Sequence, residues 1–134
     1  MPTLPFPDRV REMLAQPNHA VMATLRRDGQ PVTVPTWYRL DGDEIVVNLD
    51  AGRKRLQHLR DDPRISLTVL DGRNWYTHVS VLGSVVRIEP DPDLSGIDRL
   101  AMHYNGRPYP NRNRPRFDAW IQVDRWHAWG DLKS

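Results

Sequence analysis

Residues 19–50 read HAVMATLRRDGQPVTVPTWYRLDGDEIVVNLD, and the class of fold turns on how this stretch is punctuated. His19 to Leu25 is an apolar run with strand character. After Asp28-Gly29, the segment Pro31 to Tyr38 alternates Val32, Val34, Thr36 and Tyr38 with Thr33, Pro35 and Trp37. An Asp-Gly pair supplies the positive φ that a two-residue hairpin needs, so the spacing predicts two strands joined by a tight turn. A second pair, Asp41-Gly42, precedes the β-branched run Glu44 to Leu49. The expectation is a meander of antiparallel strands.

Working outward, Asp8 to Gln16 places Val10, Met13 and Leu14 at helical spacing between Pro7-Asp8 and Pro17-Asn18, which predicts a short amphipathic helix. Arg53 to Arg60 carries straight-chain residues with Leu56 and Leu59 on one side, and Asp61-Asp62-Pro63 stops it, so a second short helix is expected. Arg64 to Leu70 alternates again, a third Asp-Gly pair follows at 71 and 72, and Trp75 to Ile88 reads as a long strand bent or bulged at Gly83. Leu94, Ile97, Leu100, Ala101 and Tyr104 mark one face of a third helix ended by Gly106. The Arg/Pro/Asn-rich segment 107–115 reads as an exposed loop, and Phe117 to Val123 as the last strand. About six strands with two or three short helices, and no strand–helix alternation, predict a mainly β chain: an antiparallel β-barrel with short α-helices.

With 134 residues, 39% hydrophobic and 27% charged, the chain is sized for one domain spanning 1–134 and excludes a disordered polymer. No stretch approaches the roughly 20 apolar residues of a membrane span, and Met1 to Asn18 lacks the apolar core of a secretory signal, so a cytoplasmic protein without membrane contact is expected. The lack of cysteine removes disulfides, thiolate metal sites and thiol nucleophiles. A formal charge of +2 does not call for nucleic acid. Position matters more than total: Arg53, Lys54 and Arg55 form one cationic cluster and Arg107, Arg112, Arg114 and Arg116 another.

The first cluster sits in Asn48-Leu49-Asp50-Ala51-Gly52-Arg53-Lys54-Arg55, where a strand gives way to a turn and cations open a helix. Cations there face the positive end of the helix dipole, at a cost of roughly a few tenths of a kcal/mol each. A bound phosphate reverses that sign, because free amides and cations then act on it together. A solvated basic turn fits the same residues, so at this level both readings stand. No Gly-x-Gly-x-x-Gly or Walker-type loop is present. The histidines His19, His58, His78, His103 and His127 show no zinc-site spacing, which predicts no protein-bound metal, and no side chain is singled out as catalytic.

In order along the chain, Val21-Met-Ala-Thr-Leu, Asp28-Gly-Gln-Pro, Pro35-Thr-Trp-Tyr, Asp41-Gly-Asp, Gly52-Arg-Lys-Arg, Asp62-Pro-Arg-Ile-Ser-Leu and Tyr104-Asn-Gly-Arg-Pro-Tyr-Pro resemble the F420-dependent class of the pyridoxamine 5′-phosphate oxidase-like superfamily. The resemblance runs from about residue 10 to residue 130, and its most specific part is the block from Gly-Arg-Lys-Arg to Asp-Pro-Arg. It implies a split β-barrel of the FMN-binding type, homodimeric, with two cofactor sites at the interface. By similarity, Gly52, Arg53, Lys54 and Arg55 hold the phosphate side of the cofactor. Thr33, Val34, Pro35, Thr36 and Trp37 lie along its rings, with Asn48 and Leu49 in the same groove. Trp75 and the segment ending in Tyr109 and Pro110 are implied near the partner's cofactor or substrate. The implied function is hydride transfer from reduced coenzyme F420 to a small electron-poor organic substrate. The alternatives are an FMN-binding oxidoreductase and a non-catalytic F420 or flavin carrier.

Overall fold

Two of the three Asp-Gly pairs form tight turns, with Gly29 at φ 84° and Gly42 at φ 61°, a region open to glycine and strained for other residues. In the computed structural model, which describes residues 1–132, these turns join β1 (His19–Leu25) to β2 (Pro31–Thr36) and β3 (Arg39–Asp41) to β4 (Glu44–Asp50). Residues 133 and 134, the end of the 1–134 domain reading, lie outside the described residues. The remaining elements are α1 (Asp8–Leu14), α2 (Lys54–Asp61), β5 (Arg64–Leu70), β6 (His78–Pro90), α3 (Ser95–Asn105), β7 (Arg116–Trp129) and a closing 3-10 turn at Gly130–Leu132.

The described residues form one antiparallel sheet of seven strands in the order β2-β1-β5-β6-β7-β4-β3. This corrects the expected meander. β1 pairs with β2 and β3 with β4, yet β2 and β3 occupy opposite edges of the sheet. Only Trp37 and Tyr38 separate them in sequence. Three Cα steps span at most about 11 Å, so the sheet has to curl until its two edges face each other. The chain itself thus closes a mainly β barrel that is split between β2 and β3.

Inward-facing side chains fill the barrel. Burial alternates along β5 and β6, and Leu67, Val69, Val79, Val81, Leu49 and Ile121 are sealed from solvent. Each such aliphatic contributes about 1.5–3 kcal/mol relative to exposure. Val10, Met13 and Leu14 of α1, and Leu56 and Leu59 of α2, join the same core. Tyr38, fully buried at the seam, donates its hydroxyl to the Gln16 carbonyl at 3.1 Å. Gly83 marks a shift in register, and a Cβ there would lie 2.1 Å from the Gln122 carbonyl oxygen. The bulge expected from the sequence is a close backbone crossing that only glycine permits.

Several boundaries differ from expectation: β2 stops at Thr36 rather than Tyr38, the short β3 was not foreseen, and β6 and β7 have other limits. β6 begins at His78, so Trp75 and Tyr76 lie in a turn rather than a strand. The Asp71 carboxylate accepts the amides of Arg73 and Asn74, and Thr77 N–H bonds Asn74 C=O, which closes this turn before pairing starts. β7 runs on to Trp129, because β6 offers it a partner along its whole length. α3 buries Ile97 and Leu100 in a small cluster of their own with Leu94, against Trp37 and Tyr109. Among the described residues, no helix is long and apolar enough to cross a membrane.

Candidate functional site

The site is built where β4 runs out. Asp50, its last residue, holds the turn in two directions: Oδ1 accepts the Gly52 amide at 2.8 Å and Oδ2 accepts Arg114 Nε at 2.7 Å. Burial alone would push this carboxyl up, but the Gly52 amide and Arg114, with Arg116 behind, outweigh it and hold Asp50 below the usual carboxylate range. Arg53 then stands at the N-cap of α2 without a side-chain cap, and no acidic residue occupies the first turn. Arg55, half-buried, has an Nε that is sealed from solvent and has no hydrogen-bond partner among the described residues. Burial, together with the charges of Arg53 and Arg116, lowers its pKa. An unsatisfied buried donor costs on the order of 1–3 kcal/mol, more when charged, and an anion at this point removes that cost.

Arg55 borders two depressions that follow β2. One, of about 730 Å³, is lined by Val32, Thr33 and Val34 of β2, by Gly52, Arg53, Lys54 and Arg55, and by Arg26 across the hairpin; among the described residues no carboxylate lines it. The other, of about 340 Å³, takes Pro35, Thr36 and Trp37 from the far end of β2, with Asn48, Arg55, Ile97, Leu100, Tyr104, Tyr109 and Arg116. The first is cationic and the second aromatic. Trp37 stacks on Tyr104 with ring centres 5.2 Å apart and planes 15° from parallel, and Tyr109 meets Trp37 edge-on at 6.1 Å. The groove therefore offers charge at one end and flat apolar rings at the other, joined at one guanidinium.

The aromatic end is braced by a buried polar network. Asn48 Nδ2 donates to Asp91 Oδ2 at 3.1 Å and to Asp118 Oδ1 at 2.8 Å, and its Oδ1 accepts Arg116 Nε at 2.6 Å. Arg116 in turn lies over the Tyr109 ring, 4.9 Å from its centre. Asp91 accepts the amides of Gly96 and Ile97 at 2.9 Å each and so caps α3. Burial, with Asp91 nearby, raises the pKa of Asp118 despite its bond from Asn48. Tyr104 donates its hydroxyl to the Asn18 carbonyl at 2.7 Å, which fixes the ring in the cavity wall, and burial pushes its pKa up to about 12.

Of the residues singled out from sequence, Thr33, Val34, Pro35, Thr36, Trp37, Asn48, Gly52, Arg53, Lys54, Arg55 and Tyr109 line these two depressions. Leu49 does not: strand alternation turns it into the core, fully buried, while its neighbour Asn48 reaches the groove. Trp75 is 64% exposed on the 71–77 turn, stacked on Tyr76, and lines neither depression of its own chain. Pro110 is exposed and also lines neither, whereas Tyr109 beside it lines the cavity of its own chain. Three of the four arginines in the second cluster have internal partners: Arg112 forks onto Asp98 at 2.9 and 3.0 Å, Arg114 bonds Asp50, and Arg116 bonds Asn48. Sequence reasoning missed Ile97 and Leu100 as cavity walls and Asp91 and Asp118 as braces. The one available signal was an acidic residue, Asp118, interrupting the apolar run 117–121. Among the described residues, no group of three or more His, Asp or Glu side chains is placed to hold a metal.

The family model described as pyridoxamine 5′-phosphate oxidase matches residues 6–130. No curated protein matches the chain in sequence. Among solved structures, one named F420 reductase superposes with a TM-score of 0.83 at 24% identity, over 91% of this chain and 98% of that one. A conserved hypothetical protein from Mycobacterium tuberculosis gives 0.72 at 25% identity, over 95% and 86%. HupZ of Group A Streptococcus gives 0.66 at 17% identity, over 92% and 94%. These likenesses establish a shared fold.

Proposed function

The chain belongs to the pyridoxamine 5′-phosphate oxidase family, and from that premise we propose that it is a reductase dependent on coenzyme F420. In this reading, the phosphate side of the cofactor sits against Gly52, Arg53, Lys54 and Arg55, and the ring system runs along Thr33 to Trp37 toward Tyr109. The observation that carries the proposal is Arg55: a half-buried guanidinium with an orphaned Nε, standing where a cationic cleft meets an aromatic cavity. A phosphate attached to a flat heterocycle matches that sequence of surfaces, since the fork of Arg55 bonds oxygens and the cavity takes a planar apolar body.

When bound, the reduced deazaflavin supplies a hydride to a small electron-poor organic acceptor. The protein's share is to bind and to orient. Asn48 and Arg116, both locked by the buried network, fix Tyr109 and one side of the cavity. Trp37 and Tyr104 form a rigid aromatic wall, and Ile97 with Leu100 keeps the inner surface dry. No side chain of this chain is assigned a proton in the reaction. We further read the protein as a cytoplasmic homodimer in which the exposed Trp75 and Pro110 reach the partner's groove.

The internal pairing of Arg112, Arg114 and Arg116 favours a second reading. A long anionic tail, the feature that separates F420 from FMN, meets few uncommitted cations on the 107–116 loop, so FMN in the same groove is the alternative. A shared fold with a protein named F420 reductase supports the first. Titrating the purified protein with F420 and, separately, with FMN at moderate salt decides between them. Tight F420 binding with weak FMN binding is expected, followed by oxidation of reduced F420 when electron-poor alkenes or quinones are added. Preferential FMN binding establishes the second reading, tight binding without turnover makes the protein a carrier, and binding of neither overturns the proposal.

A further inference from the structure

Away from the groove, α1, β3 and α3 enclose a depression of about 460 Å³ whose charged and polar walls are Arg11, Arg39, Arg99 and His103, with no carboxylate among its lining residues. Arg11 is committed: it bonds the Gly42 carbonyl and the Asp43 carboxylate. Arg39 is not. Its side chain is only 16% exposed, yet its one ion-pair contact, to Asp41, is 3.9 Å long, beyond hydrogen-bond reach, and its guanidinium makes no hydrogen bond among the described residues. Arg99 lies close enough to repel it, and burial together with that repulsion lowers the pKa of Arg39. The acidic groups that face the pair are Asp41 and Asp118, and Asp118 already accepts Asn48.

Two guanidiniums set side by side in one depression repel, and an anion between them turns that repulsion into attraction. We propose that Arg39, Arg99 and His103 form a second anion-binding site, separate from the cofactor groove, for a compact small molecule bearing at least two negative charges as phosphate or carboxylate. Two planar forks on different elements, β3 and α3, can each take a pair of oxygens, and this selects polyanions over single carboxylates. Arg99 and His103 lie on the face of α3 next to the one that turns Ile97, Leu100 and Tyr104 to the aromatic cavity, so an occupant clamps β3 to α3 and stiffens the wall of that cavity.

The test keeps the two sites apart by using the Arg53→Ala/Arg55→Ala protein, in which the groove is disabled. Calorimetric titration of this variant with pyrophosphate, and separately with citrate, is expected to show saturable binding of at least one of them, and the stronger of the two identifies phosphate or carboxylate as the preferred chemistry. Adding Arg99→Gln is expected to weaken that binding by about tenfold or more, as the loss of one charge-assisted contact requires. Because Arg99 is exposed on α3, its replacement leaves the fold intact, and His103→Gln, at another exposed position of the helix, moves the affinity in the same direction. No binding to the starting variant, or an isotherm unchanged by Arg99→Gln, overturns the proposal.

Discussion

Two arginine-rich segments of this chain carry the same chemistry and stand in opposite electrostatic states. In the 107–116 loop, Arg112, Arg114 and Arg116 each fork or bond onto Asp98, Asp50 or Asn48. At 53–55, by contrast, the cations open α2 with no acidic residue in its first turn, and Arg55 keeps a buried nitrogen without a partner. The first segment stabilises the loop. The second leaves attraction uncompensated, and that is the condition for binding an anion. Composition marks both segments as cationic; their partners make them different.

The comparison breaks most directly at Arg53 and Arg55. Replacing both with alanine is expected to weaken cofactor binding by about a hundredfold, taking about 1.5 kcal/mol for each charge-assisted contact, while the urea midpoint holds or rises because mutual repulsion is relieved. Equal affinities for variant and parent, measured by fluorescence titration, would remove the phosphate assignment. The next effect belongs to the paired side. Asp50→Ala strands Arg114 and frees the Gly52 amide, so a loss of about 1–3 kcal/mol of unfolding free energy is expected from denaturant titration. The turn loosens with it, and cofactor affinity falls as a secondary effect.

Acid sharpens the same point. The Asp50 carboxyl is depressed in the folded chain, so its contribution is complete above the unfolded value of about 3.9 and is lost as the pH falls through the lower folded value. Thermal midpoints of Asp50→Asn are therefore expected to converge on those of the parent as the pH drops below about 4, and to lie beneath them at neutral pH. The smallest effect is expected at Arg112. Its fork onto Asp98 is open to solvent, and Asp98 retains the Tyr109 amide at 3.0 Å when the arginine is removed. Arg112→Ala should leave both the urea midpoint and F420 affinity unchanged; a clear loss of affinity would bring that loop into the site.

Local signals were legible where the physics is local. β1 and β5 have the limits their alternation predicts, Gly29 and Gly42 take the positive φ that Asp-Gly turns require, and Gly106 ends α3 at φ 75°. Most of the β2 and α2 residues singled out do gather in one groove. Three features were not legible. Leu49 and Asn48 point to opposite sides, and the inward parity of β4 depends on its pairing with β7, seventy residues downstream at Asn48↔Asp118. The turn holding Trp75 is closed by side-chain bonds from Asp71 that a β-propensity reading does not register. The partners of the loop arginines lie on α3 and β4, remote in sequence.

The sequence by itself determined most of the strands, two of the Asp-Gly turns, the two cationic clusters and the family, because each depends on residues within a few positions of one another or on their order along the chain. Only the tertiary structure decided that β2 and β3 lie at opposite edges of one sheet, that the seam between them adjoins the groove, and that three of the four loop arginines are paired while the cluster opening α2 is not. Those outcomes depend on which distant surfaces meet. Short-range periodicity is blind to that, because barrel closure sets charge pairing and burial between residues whose separation along the chain carries no signal.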